Sequence, residues 1–219
     1  MRPRRTHTGT RQRGAVMVET VLFLPVVVLL VFGVVEFSFA YQASSVLADA
    51  TRAAAREGGA VGGDDGTDAD GKDYVGHIND AASIVLKKLP RGAKPEYMMI
   101  YKANEAGFPG PDSNTSLDAA SLFICGFNGW NAQGCRTLAW NPTTEKFDPQ
   151  GGSWPAAAHN RCTQPYDRIG VAIFLSYEPL TNIFGPVLRF EKPGTVPDLG
   201  SGMTDHAVFA FEPAPLGEC

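Results

Sequence analysis

Residues 11–37 read RQRGAVMVETVLFLPVVVLLVFGVVEF. From Ala15 to Val35 the only formal charge is Glu19, and Val21 to Val35 contains none. At 1.5 Å per residue those 21 positions reach about 30 Å, the thickness of a hydrocarbon core. A transmembrane helix is expected. Arg2, Arg4, Arg5, Arg11 and Arg13 precede it, with no acid among residues 1–13. Cations on that flank hold the N-terminus in the cytoplasm, so a single pass through the cell (inner) membrane places everything after residue 36 on its extracytoplasmic side. Glu19 needs a reason, because an ionisable group in a membrane segment costs roughly 2.5–3.5 kcal/mol on insertion scales.

The remaining composition supports one domain beyond this segment. The chain has 219 residues, 44% of them apolar and 19% charged, enough for a packed core. Without the five N-terminal arginines, 14 bases face 23 acids, a net of −9. Such a surface excludes a nucleic-acid partner, since phosphate binding needs cations. Cys125, Cys135, Cys162 and Cys219 all follow the apolar run, as expected of disulfide candidates on the oxidising side. Three pairings are open; Cys125–Cys135 as a local loop would leave Cys162 for Cys219. Intervening spacings of 9, 26 and 56 residues contain no C-x-x-C pair, which argues against zinc.

The helix-forming pattern outlasts the membrane. EFSFAYQASSVLADATRAAAREGG (36–59) keeps Tyr41, Val46, Leu47, Ala50, Ala53 and Ala54 at helical spacing, with Arg52 and Arg56 near the end and Gly58–Gly59 as the expected stop. One helix over 15–57 is predicted, bent at Pro25, its first half in lipid and its second half standing above the surface. Residues 58–72 read as a Gly/Asp linker. DADGKD within it resembles a calcium loop only superficially, because the register puts Gly66 and His77 at positions that need carboxylates. Residues 73–219 are expected to form an extracytoplasmic head of α+β class. KDYVGHINDAASIVLKKLP carries Val75, Ile78, Ala82, Val85 and Leu89 on one stripe and gives an amphipathic helix. PEYMMIYKA, DRIGVAIFLSYEP and MTDHAVFAFEP give strands. One helix across a mainly antiparallel sheet would bury their apolar faces. Residues 104–165, rich in Gly, Pro, Asn and Trp, are expected to be disulfide-tied loops with short strand-like pieces such as SLFICGF.

At RGAVMVET (13–20) a basic leader, a glycine and an apolar helix with glutamate five residues on resemble the processing signal of type IV pilins. Leu24-Pro25, Gly33 to Phe37 and Ala55 to Gly58 resemble more specifically the TadE-like family, minor pseudopilins of the tight-adherence (Tad/Flp) pilus. The resemblance implies that residues 1–14 are a leader removed by a prepilin peptidase between Gly14 and Ala15. It also implies that Glu19, about 6 Å along the helix from the freed Ala15 amine, pairs with that amine in an adjacent subunit and fixes axial register. Glu36, at the outer boundary, is expected to reach headgroups or water. Implied partners are the lipid bilayer, the major Flp-type pilin, a sister pseudopilin and the membrane assembly platform; no cofactor is implied.

Other readings rest on the same residues. A plain signal-anchor would let Glu19 snorkel, and SFA before Tyr41 offers a signal-peptidase site, although the helix pattern passes through it unbroken. His7, His77, His159 and His206 sit in no catalytic motif, and no G-x-S-x-G, H-E-x-x-H or P-loop pattern occurs, so no enzyme is expected. Trp130, Trp140 and Trp154 suggest an alternative, a membrane-anchored binding protein that stacks a surface carbohydrate on exposed aromatics. The plainer expectation is that they plug the underside of loops.

Overall fold

A computed structural model describes residues 9–62, 72–110, 112–115, 117, 134–180 and 202–214, with the side chains of the first helix described from Val16 onward. The elements are α1 (Gly9–Val61), α2 (Tyr74–Leu86), β1 (Ala93–Lys102), β2 (Cys135–Asn141), β3 (Lys146–Ser153), a short 3₁₀ turn (Ala156–Ala158), β4 (Arg168–Tyr177) and β5 (Gly202–Ala210). The strands lie in the order β3-β2-β1-β4-β5, each neighbouring pair antiparallel. An apolar helix ahead of an antiparallel sheet with helices on one face is an α+β arrangement.

Side chains alternate along the central strands as the pleat requires. Met98, Ile100, Ile169, Val171, Ile173 and Leu175 join the main core beneath the helices. Met99, Tyr101, Ala172 and Phe174 form a smaller cluster on the opposite face. Both sets are buried, so β1 and β4 read as nearly continuous apolar runs.

Two helices, not one, cover the main face. The second half of α1, expected to stand above the surface with a single other helix across the sheet, is itself built into the head. Ala40, Ala43, Leu47, Ala50, Ala54 and Ala55 are buried against β4, β5 and α2. Nor does α1 stop at Gly58–Gly59; it runs to Val61 and turns at Gly62. The glycines serve close packing instead. A Cβ on Gly58 would lie 2.7 Å from Cδ1 of Ile169, and one on Gly59 would lie 3.0 Å from the Ala210 carbonyl oxygen. Pro25 sits inside the helix, which continues through it.

Helix α2 starts on Asp73, whose side chain accepts a bond from the Gly76 N–H at 2.8 Å, satisfying one orphan donor of the first turn. Val75, Ile78 and Ala82 are buried as expected, whereas Val85 is half-buried and Leu89 lies beyond the helix. Asn79, unexpected on that face, clamps β3: its amide donates to the Phe147 carbonyl at 2.7 Å and its oxygen accepts from the Phe147 N–H at 2.9 Å. At the α2–β1 turn Gly92 has φ of +91°, and a Cβ there would meet the Glu178 carbonyl at 2.4 Å; only glycine suits both.

The stretch expected to be loops holds a real hairpin, β2–β3, turned on Asn141, whose side-chain oxygen accepts from the Thr143 N–H at 2.9 Å. SLFICGF, the linker's DADG and the LTNIFGPVLRF connection after Leu180 lie outside the described residues. Cys135 and Cys162 are both disulfide-bonded, while Cys125 and Cys219 lie outside the described residues.

Candidate membrane-anchoring and assembly site

Helix α1 changes character at Glu36. From Val16 to Val35 every side chain is exposed apart from the half-buried position of Gly33. Val16, Leu22, Phe23 and Leu30 each leave 60% or more of their surface uncovered. No water-facing helix is stable with such a surface; a bilayer or neighbouring apolar helices must cover it. Its polar groups are disposed accordingly. Thr20 Oγ1 donates to the Val16 carbonyl at 2.8 Å and Ser38 Oγ to the Val34 carbonyl at 2.7 Å, so each hydroxyl is satisfied within the helix. The long helix is apolar enough to cross a membrane.

Glu19 is exposed on this bare half and enters no ion pair among the described residues. It lines a shallow depression with Val16, Thr20, Phe23, Leu24 and Val27. Gly14 and Ala15 lie within the helical backbone, six or fewer residues from its start at Gly9; their surroundings fall outside the described side chains.

Glu36 corrects the sequence reading. Expected at water or headgroups, it is 1% exposed, held beneath the head where the Tyr177 hydroxyl donates to its backbone carbonyl at 3.4 Å. Burial, and secondarily the nearby Glu36 carboxylate, push the Tyr177 phenol above its ordinary value. A second polar contact ties helix to sheet: Thr51, fully buried, donates from Oγ1 to Asp205 Oδ2 of β5 at 2.7 Å. The signal for the burial of Glu36 was present. Glu36, Ala40, Ala43, Leu47, Ala50 and Ala54 recur at intervals of three and four, which puts Glu36 on the face that the small residues bury.

The histidines and tryptophans do structural work among the described residues. His159 is buried between Trp154, Tyr74 and Phe211 and bonds through Nδ1 to the Gly62 carbonyl. His206 lies against Phe108, and His77 faces Glu57 at 3.9 Å. Trp154 is buried and Trp140 packs edge-on to Phe147; Trp130 lies outside the described residues. No cluster of metal-ligating side chains occurs among the described residues.

The decisive span is therefore the one containing both the bare and the buried halves of α1. Residues 14–56 match the family model of the TadE-like proteins. This TadE-like segment begins at Gly14 and takes in Glu19 and Glu36, and it ends five residues before α1 does. The sheet lies outside it. No curated protein and no solved structure matches the chain. A TadE-like segment associates the chain with the Tad pilus system, and its apolar helix fits a single-pass membrane anchor.

Proposed function

We propose that this chain is a minor pseudopilin of a Tad/Flp-type pilus, cut by a prepilin peptidase between Gly14 and Ala15 and active in pilus assembly or adhesion rather than in catalysis. The observation that carries the reading is the division of α1: a bare apolar half with one carboxylate, continuous with a half rooted in the head. An anchor alone needs no fixed helix beyond the lipid, whereas a subunit that leaves the bilayer sideways into a filament does. Glycine at position 14 is the weakest point of the helix around the cut, since Gly costs about 1 kcal/mol relative to Ala in a helix interior. After cleavage Glu19 pairs with the Ala15 ammonium of a neighbour, and the arginines that set topology are gone. The head lies on the extracytoplasmic side of the inner membrane, and its cysteines tie down the loops around β2. Major pilin, sister pseudopilin and the membrane platform are the partners. Edman sequencing of membrane-extracted protein tests this: a start at Ala15 is expected, and an intact leader would overturn it.

A second reading, an anchored binding protein that takes a surface carbohydrate, is favoured by one feature. An open cleft of about 910 Å³ lies at the end of the head farthest from Glu36, lined by Lys102, Asn104, Asp112, Tyr166, Asp167 and Arg168. Glycan-array binding by the detergent-solubilised chain, together with an uncut N-terminus, would select that reading.

A further inference from the structure

The α2–β1 turn reads Lys87-Lys88-Leu89-Pro90-Arg91-Gly92-Ala93-Lys94, and the register fixes its height above the bilayer. Ala93 pairs with Tyr177 across β1 and β4. The Glu178 N–H donates to the Gly92 carbonyl at 2.8 Å. Tyr177 in turn reaches the Glu36 carbonyl of α1. The turn is therefore level with the point where the bare half of α1 ends. Ala15 to Val35 already fill about 30 Å of hydrocarbon, so this pole of the head sits among headgroups. Lys102, at the other end of β1, is about 30 Å higher.

All four cations of the turn are exposed. Lys87 faces Glu145 at 3.3 Å and Lys94 faces Glu178 at 3.8 Å, exposed pairs that hold little energy in water. Lys88 and Arg91 enter no ion pair among the described residues. Of two further acids at this pole, Glu36 is buried at Tyr177, and Glu96 accepts a bond from Ser176 Oγ at 2.6 Å. The C-terminal end of α2 accounts for cations at 87 and 88; it does not account for those at 91 and 94, in a chain that is net acidic after residue 13. At about the same height Leu180 is 47% exposed, and Phe37 and Tyr41 on α1 are 65% and 70% exposed, apolar and aromatic side chains at the depth where an interface receives them.

We propose that this pole docks the head on anionic phospholipid headgroups, with Lys88 and Arg91 contacting phosphate and Leu180 and Phe37 seated at the acyl boundary. The inference rests on the reading of α1 as a membrane anchor. Docking of this kind holds the head down while the subunit is in the bilayer and is surrendered when the subunit is drawn out. Arg91 supplies a planar fork for phosphate oxygens and Lys88 a point charge. The test uses the full chain reconstituted in phosphatidylcholine bilayers with and without phosphatidylglycerol, flotation confirming insertion, and amide hydrogen exchange read over residues 87–94. Exchange about fivefold slower or more is expected with phosphatidylglycerol. The protection should vanish at high salt and in Lys88→Glu/Arg91→Glu, whose surface positions leave the fold intact. Equal exchange in the two lipids, or protection that survives charge reversal, would overturn the proposal while leaving the anchor standing; failure to float would instead strike the anchor itself.

Discussion

Glu19 and Glu36 are chemically identical and stand 17 positions apart on one helix, yet the fold treats them oppositely. Glu36 is covered within its own chain, whereas Glu19 is open to whatever surrounds the bare half. In the pairing proposed above it is Glu19 that specifies a neighbour. Glu19→Ala should leave membrane insertion unchanged, or improve it, while pilus assembly falls at least tenfold if the pairing is worth about 1.4 kcal/mol or more. Counting assembled fibres against membrane-extracted protein measures both; undiminished assembly would remove the pairing role. Thr51 gives a prediction independent of assembly. Thr51→Val keeps the shape and leaves Asp205 without its buried donor, so the head should lose about 1–3 kcal/mol, measured by urea unfolding in detergent.

The elements that sequence revealed most plainly are those with one unbroken physical signal. The run from Val16 to Val35 is apolar on all sides, and β1 and β4 are apolar on both faces, so each was legible without knowledge of its neighbours. Strands β2 and β3 were not, because CRTLAWN mixes apolar and polar residues without a clean alternation, KFDPQGGS is polar and glycine-containing, and β3 lies at the sheet edge with Pro149 in it. The second half of α1 was legible as a helix but not as core. Its buried face is mostly alanine and glycine, which offer little hydrophobic contrast; their value lies in how near they let the sheet come. That closeness is testable. Gly58→Leu puts a side chain where even a Cβ would stand 2.7 Å from Ile169 and 2.9 Å from Ile78. We expect a loss of about 1–3 kcal/mol by overpacking, seen as a lowered unfolding midpoint, with membrane insertion unaffected. An unchanged midpoint would show that helix and sheet are not tightly seated.

For the whole molecule, phenols buried on opposite faces of one sheet set an alkaline limit. Burial raises the Tyr101 phenol well above its ordinary range, and burial followed by the Glu36 carboxylate raises that of Tyr177. A raised folded-state value means that the native form keeps protons the unfolded chain would release. Stability from both is therefore whole below about pH 10 and declines as pH climbs past it. Thermal melts in detergent should be flat from pH 7 to 9 and fall above pH 10, less steeply in Tyr101→Phe. A melt indifferent to pH up to 11 would contradict this burial. At this scale too, the candidate site was only partly legible: the anchor and Glu19 follow from composition, but the cationic pole emerges only once the strand register sets Ala93 opposite Tyr177 and Lys94 opposite Ser176.

The packing of α1 against β5 joins the start of the chain to nearly its end. Synthesis from the N-terminus delivers the alanine face of α1 roughly 150 residues before the strand that covers it. The nascent helix must wait, partly undressed, until Gly202–Ala210 emerges. Stop codons or stalls anywhere before that strand should consequently yield an inserted but protease-sensitive product, since the missing piece is the one that seals the helix to the sheet.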